Sequence, residues 1–210
     1  ILSKALINMV SLKNFDALEL ISNTAEKLSA GEIMQIEKSL TRTMSKDVYY
    51  SMINQKTASL IAASCELGAI TTTNENNDRK FVSGYGENLG MAFQIKDDLF
   101  DFLGSENQTG KDKGGDVKQN MITLPLIFSI DNAKRPDRNR LKSLVRKKKK
   151  SSSNLKEINE MIHNLGGFNY ANKKLDEYSN RAIDSISTYH DSEIKKSLVE
   201  LVSFNRYRKS

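Results

Sequence analysis

The sequence has 210 residues, of which 38% are hydrophobic and 28% are charged, and its 32 Lys and Arg outnumber its 26 Asp and Glu by six. This length suits one domain, and no run of about 18 apolar residues is present that would predict a membrane-spanning helix. The single cysteine, Cys65, excludes an internal disulfide framework, and we therefore predict a cytoplasmic location. The mild positive charge suits a ligand that carries phosphate.

The chain is predicted to be almost entirely helical, because it has only two prolines and no run of alternating β-branched residues. Its first residues start in the middle of a helical pattern, so we expect a piece of a longer protein. A capping-box pattern at Ser29 and Glu32 predicts that a new helix begins there. Apolar spacing predicts the other helices in the first two thirds of the chain over residues 1–12, 16–28, 46–70, 78–103 and 123–130.

The last third contains the most polar stretch, residues 131–154, which we predict to be loop-like, although Leu141, Leu144 and Val145 suit a short helix within it. Three more helices are predicted over residues 154–164, 168–188 and 191–207, with Gly166-Gly167 separating the first two. No internal repeat and no long linker are evident. An all-α bundle forming one domain is the natural prediction.

Residues 78–103 form the predicted central helix, and its second half is apolar on nearly every side, so we expect it to be buried. One narrow stripe differs from the rest. Spacings of three and four residues place Gln94, Asp97, Asp98 and Asp101 on one face. Burying unpaired carboxylates costs much free energy, so these acids require counter-charges or a metal ion. Oxygen ligands of this kind favour Mg²⁺ or Ca²⁺, and Mg²⁺ commonly bridges carboxylates and a substrate phosphate.

Two basic features accompany the acid stripe. The segment TGKDKGGD, residues 109–116, alternates glycines with Lys111 and Lys113, and this composition suits close backbone approach to an anion. Lys56, followed by Thr57, stands on an otherwise apolar helix face. A snorkelling lysine would explain Lys56 equally well, and a flexible surface turn would explain the loop. Beside a metal-binding helix, both features favour the binding of a phosphate group.

Together, KT on an apolar helix, FQxxDDxxD, GKxxGGD and TLPL resemble the trans-isoprenyl diphosphate synthases, also called the polyprenyl synthetase family, in order and spacing over most of the chain. The resemblance implies a helical bundle around a central cavity, normally a homodimer. It also implies a Mg²⁺-dependent prenyltransferase that condenses an allylic diphosphate with isopentenyl diphosphate. The 210 residues would be the C-terminal part of a single polyprenyl synthetase domain.

The resemblance also implies a role for each matching residue. Asp97 and Asp101 would bind Mg²⁺ as the second aspartate-rich motif, and Asp98 would support the water shell of the metal. Lys56 and Lys111 would bind the leaving diphosphate. Thr57 and Gln94 would line the site by hydrogen bonding, near the developing allylic cation.

Two departures from the family pattern stand out. The first aspartate-rich motif is absent from the sequence, so we expect the 210 residues to be inactive alone. A lysine of the family is replaced by Met121, and Lys118 is out of register with that position.

Three alternative functions remain open. A class I terpene cyclase shares the fold, but its second metal motif ends in a Glu where Ser105 stands. A non-catalytic partner subunit of a synthase is compatible with both departures. The run Arg146–Lys150 is compatible with nucleic-acid binding, but we interpret it as a solvated loop. We therefore predict no nucleic-acid partner.

Overall fold

The structure, a computed structural model, describes residues 2–11, 13–73, 75–103, 117 and 120–208. All the regular structure in these residues is helical, which confirms the all-α prediction, and none of their helices is long and apolar enough to cross a bilayer. In chain order the elements are α1 (Leu2–Ser11), α2 (Phe15–Thr41), α3 (Lys46–Ile53), a π-helical turn (Asn54–Ala58), α4 (Ser59–Ile70), α5 (Asn76–Leu103), α6 (Leu124–Asn132), α7 (Arg135–Arg146), α8 (Ser152–Asn164), α9 (Gly167–Ser185) and α10 (Glu193–Tyr207).

The prediction of a helix start at Ser29 is wrong, because α2 continues without interruption from Phe15 to Thr41. The hydroxyl of Ser29 donates to the carbonyl oxygen of Ala25, 2.9 Å away, as a residue inside a helix does. Gly31 lies at the contact between α2 and the π-helical turn, where an added Cβ would come within 2.7 Å of the Lys56 backbone nitrogen. This glycine therefore permits close helix packing rather than a break in the chain.

The predicted helix over residues 46–70 is interrupted by the π-helical turn at Asn54–Ala58. The turn lies between two helices that approach it closely. Gly31 of α2 contacts one side, and on the other side a Cβ on Gly90 of α5 would meet the Cα of Ala58 at 2.5 Å. Such turns are rare and occur frequently at functional sites, and this one contains both Lys56 and Thr57.

The polar stretch predicted as loop-like contains a regular helix of twelve residues, α7. Its Leu141, Leu144 and Val145 side chains are all buried in the main core. Arg138 ties the start of α7 to the end of α6, because its guanidinium donates to the carbonyl oxygens of Ile130 and Ala133 at 3.1 and 2.9 Å. Three apolar residues at helical spacing therefore outweigh a composition that is otherwise strongly charged.

The long helix α5 lies at the centre of the bundle and packs most extensively against α4 and α9. Its Ile95 and Leu99 side chains are fully buried among residues of α3, α6, α8 and α9. The prediction that α5 is buried on all apolar sides is wrong at Phe93, whose side chain is 37% exposed. The predicted anion-binding loop with Lys111 and Lys113 lies outside the described residues.

Candidate functional site

A line of side-chain hydrogen bonds joins the π-helical turn, α5 and α3. The hydroxyl of Thr57 donates to Gln94 Oε1 at 2.8 Å, and Gln94 Nε2 donates to Asp98 Oδ1 at 2.9 Å. The other carboxylate oxygen of Asp98 accepts a 2.6 Å hydrogen bond from the hydroxyl of Tyr49. Three residues that the sequence assigned to one site, Thr57, Gln94 and Asp98, are thus held together by direct contact.

Asp98 is the most deeply placed carboxylate of the stripe, with a residue exposure of 5%. An ionised carboxylate at such a position is tolerated only where hydrogen-bond donors replace the lost water. Tyr49, which is completely buried, and Gln94 supply such donors. Asp98 therefore holds Gln94 in one orientation, and Gln94 in turn orients the hydroxyl of Thr57.

Lys56 points toward α2, although its neighbour Thr57 points toward α5. Its ammonium lies 3.0 Å from a carboxylate oxygen of Glu32 and also donates to the side-chain oxygen of Gln35. The Lys56 side chain remains 35% exposed, so this ion pair is partly solvated. A cation held by one carboxylate and one amide at an open position can exchange those partners for a phosphate.

Met121 occupies the position at which the resemblance implies a lysine, and its sulfur contacts the same group of residues. Gln35 Nε2 donates to Met121 Sδ at 3.6 Å while its oxygen accepts from Lys56. A thioether is only a weak acceptor and carries no charge. The positive charge near Gln35 is therefore that of Lys56, with no second cation supplied by residue 121.

Asp97 is paired with Arg208, which follows the end of α10. A guanidinium nitrogen of Arg208 contacts Asp97 Oδ1, and the guanidinium carbon lies 4.4 Å from the ring centre of Phe93 and 5.2 Å from that of Phe100. The Phe93 ring is exposed and the Phe100 ring is half-buried. Arg208 therefore covers them and supplies one of the counter-charges that the acid stripe requires.

A second cation lies close to Arg208. Lys96 donates to the carbonyl oxygen of Arg206 at 3.0 Å, and its ammonium lies 5.0 Å from the ring centre of Phe100. Burial lowers the pKa of Lys96, and the positive charge of Arg208 lowers it further. The last residues of the described chain thus bring positive charge to the side of α5 that carries Asp97.

The sequence reasoning missed three residues of this site: Tyr49, Gln35 and Arg208. Tyr49 precedes Lys56 by seven residues, a spacing that places both on one side of a regular helix, and this signal could have found it. Gln35 and Arg208 are separated from their partners by 21 and 111 residues. No local pattern connects such pairs, so only the packing of α2 and α10 reveals them.

The acid stripe offers carboxylate oxygens to a divalent metal ion. No group of three His, Cys, Asp or Glu that could hold a metal is found in the part of the chain that the structure describes. Asp97 is suitable by itself, since its side chain is 39% exposed and already binds a cation. Asp101 follows one turn later on α5 and is half-buried. One or two carboxylates with water and substrate phosphate satisfy Mg²⁺, so this donor set fits it.

Fold and site together define an all-α protein with acidic and basic groups assembled at the end of its central helix. The chain belongs to the polyprenyl synthetase family, whose sequence model matches residues 1–162. Among curated proteins it is 30% identical over 200 residues to solanesyl diphosphate synthase 2, chloroplastic, of Arabidopsis thaliana. It is 29% identical over 208 residues to heptaprenyl diphosphate synthase component 2 of Bacillus subtilis.

These alignments include 95% and 99% of this chain but only 47% and 59% of the relatives, so the chain spans about half the length of the curated relatives that it matches. Solved structures show the same relation. A polyprenyl synthase from Caulobacter crescentus, complexed with calcium and isoprenyl diphosphate, superposes with a TM-score of 0.90 at 26% identity. The superposition includes 99% of this chain and 63% of that one.

Proposed function

We propose that the chain is the C-terminal part of one polyprenyl synthetase domain, in a protein that joins an allylic diphosphate to isopentenyl diphosphate and so makes a longer polyprenyl diphosphate. The observation that carries this proposal is the hydrogen-bonded line from Thr57 through Gln94 to Asp98, which ties the turn that carries Lys56 to the acid stripe of α5. The family match supports this assignment, as does the similarity to solanesyl and heptaprenyl diphosphate synthases.

Asp97 and Asp101 would hold Mg²⁺, which when bound neutralises the negative charge that develops on the leaving diphosphate. The Caulobacter relative, named with calcium and isoprenyl diphosphate, supports a divalent ion with oxygen ligands. Lys56 would exchange Glu32 for a phosphate oxygen of the allylic substrate, and Lys111 is expected to bind the same diphosphate. Because no cation stands at residue 121, Lys56 would carry a larger share of this binding.

The remaining residues of the site would position other side chains rather than bind the metal ion or the diphosphate. Asp98 positions Gln94, and Gln94 accepts the hydroxyl hydrogen of Thr57, which would leave the lone pairs of Thr57 Oγ1 facing the reacting end of the allylic chain. An oriented oxygen near a developing cation lowers the free energy of the transition state, because its dipole is already in place. Arg208 pairs with Asp97 and covers the rings of Phe93 and Phe100.

Homodimerisation and a cytoplasmic location remain predictions. A second candidate function is a partner subunit in a synthase made of two different chains. Two observations favour it: Met121 replaces an expected lysine, and the chain is 36% identical over 130 residues to heptaprenyl diphosphate synthase component 2 of Geobacillus stearothermophilus. A mixture with the corresponding other component would then be active when this protein alone is not.

The test measures incorporation of labelled isopentenyl diphosphate with Mg²⁺ and a series of allylic diphosphates, for residues 1–210 and for the complete protein. We expect product from the complete protein only, and a fall in kcat of at least about 100-fold for Asp97→Ala, which removes a metal ligand. Lys173→Ala, on the exposed side of α9, is the control and should leave kcat unchanged. Product from residues 1–210 alone, or an Asp97→Ala enzyme with unchanged kcat at saturating Mg²⁺, would contradict the proposal.

A further inference from the structure

The positive charge of this protein is concentrated in one segment. Residues 134–150 contain ten of the 32 Lys and Arg but only one of the 26 Asp and Glu, a net charge of +9. The whole chain carries +6, so the other 193 residues together carry −3. The proposed prenyltransferase site uses none of these ten cations. Such an asymmetry indicates a binding partner of negative charge rather than a requirement of the fold.

The structure arranges part of this charge on one surface. Arg135, Lys142 and Arg146 are separated by seven and four residues, and therefore lie on one side of α7, away from its buried leucines. All three are exposed, as are Lys147, Lys148 and Lys149 after the helix. We call these six residues, together with Arg42, the basic face.

Arg42 joins the basic face from the end of α2, where its guanidinium donates to the carbonyl oxygen of Arg146. Two neighbouring cations have partners within the protein. Arg140 pairs with Glu157 at 2.6 Å, and Arg138 donates to a backbone carbonyl of α6. No residue of the basic face forms an ion pair with a carboxylate in the described parts of the chain. Its cations therefore have no direct carboxylate partner there.

A cavity of about 170 Å³ opens beside these cations. Arg42, Lys142 and Arg146 line it, and Ile130 and Val145 are among its apolar side chains. The one carboxylate in its lining, Asp131, is paired with Lys46 at 3.6 Å. Burial lowers the pKa of nearby Lys150, and the charge of Arg42 lowers it further, which reflects the same crowding of positive charge.

We propose that the basic face docks this protein on an anionic lipid membrane, with a lipid phosphate held by Arg42, Lys142 and Arg146 at the cavity. Clusters of this size attract acidic headgroups. The apolar side chains beside the cations suit a phosphate attached to a hydrocarbon chain. Nucleic acid fits less well, because residues 134–150 contain no aromatic side chain on which a base could stack. The proposal is independent of the prenyltransferase proposal, and either can fail alone.

The test is sedimentation of the purified protein with phosphatidylcholine vesicles, with and without about one third phosphatidylglycerol. We expect binding only to the anionic vesicles. Changing Lys142, Arg146, Lys148 and Lys149 to Gln should weaken that binding by a hundredfold or more, at roughly fivefold for each cation removed. Should that variant fail to fold, the pair Lys148→Gln and Lys149→Gln, which lies outside the helix, should still weaken binding about 25-fold.

The matched control removes the same charge from other exposed sites, by changing Lys27, Lys80, Lys173 and Lys196 to Gln. This control should keep most of the vesicle binding. Equal losses in the two variants, or equal binding to neutral and anionic vesicles, would overturn the proposal. So would tighter binding to a DNA duplex at the same phosphate concentration, or displacement from vesicles by millimolar inorganic phosphate beyond that by chloride of equal ionic strength.

Discussion

The acid stripe of α5 and the basic face of α7 carry charges of opposite sign and in opposite settings. The acids lie at the end of the central helix, where Asp98 is buried and accepts from Tyr49 and Gln94, and Asp97 contacts Arg208. The exposed cations of the basic face have no carboxylate partner among the described residues. Asp97 and Asp98 of the acid stripe therefore have partners within the protein, whereas the cations of the basic face are open to water or a ligand.

This difference separates two consequences of charge. A buried carboxylate and its donors are coupled to the packing of several helices, so changes there alter stability as well as activity. Exposed cations contribute little to the stability of the fold, so we expect substitutions of them to alter the binding of a ligand and not stability. Three measurements of the free energy of unfolding test this difference between the two regions.

The largest effect is expected from Gly90→Ala, which disturbs the contact between α5 and the π-helical turn. The new Cβ would lie 2.5 Å from the Cα of Ala58, and a backbone atom cannot move aside as a flexible side chain can. We expect a loss of about 3 kcal/mol in the free energy of unfolding, measured by denaturant titration.

Gly68→Ala in α4 is the matched control for this change, because an added Cβ there meets nothing within 4 Å. Alanine is the better helix former, so we expect this substitution to stabilise the protein by about 0.5–1 kcal/mol. If both substitutions changed stability equally, the close packing of α5 on the turn would be the wrong explanation.

The second effect concerns the buried hydrogen bond of Asp98. Tyr49→Phe removes the hydroxyl that donates to its carboxylate, and we expect a loss of about 2 kcal/mol, since this bond involves a charged group. Tyr207→Phe, at a side chain that is 72% exposed, should change stability by no more than about 0.5 kcal/mol. In a double-mutant cycle with Asp98→Asn, a coupling below about 0.5 kcal/mol would show that the contact does not stabilise the fold.

The smallest effect is expected at the basic face. Changing Lys142, Arg146, Lys148 and Lys149 to Gln should alter the free energy of unfolding by less than about 0.5 kcal/mol per residue, because none of them has a carboxylate partner in the described structure. Thermal unfolding followed by circular dichroism measures this. A drop of several kcal/mol would show that these cations contribute to folding, and the contrast with the acid stripe would disappear.

Much of the fold was predictable because helical spacing of apolar residues is a local signal. The spacing located α5 within two residues at its start, and Gly166-Gly167 correctly marked the boundary before α9. The prediction at Ser29 was wrong because a local capping pattern was taken as a helix start. Gly31 instead permits close packing of α2 against the π-helical turn. The charged composition of residues 131–154 favoured a loop, but the short helix expected at Leu141, Leu144 and Val145 is present as the twelve-residue α7.

The candidate site was predictable in part. The stripe of Gln94, Asp97, Asp98 and Asp101 follows from spacing on one helix, and the link from Gln94 to Thr57 agrees with the predicted grouping. The orientation of Lys56 toward α2 was not predictable, because it depends on the π-helical turn. Gly31 of α2 and Gly90 of α5 approach that turn closely on its two sides.

Periodicity and composition are properties of neighbouring residues, so they are enough to predict the helical class, the acid stripe and the excess of positive charge in residues 134–150. Which groups meet is visible only in the folded chain: Tyr49 meets Asp98, Arg208 meets Asp97, and Gln35 meets both Lys56 and Met121. These contacts join helices that are distant along the chain. They depend on how helices pack around α5, and packing is a property of the whole chain rather than of any local pattern.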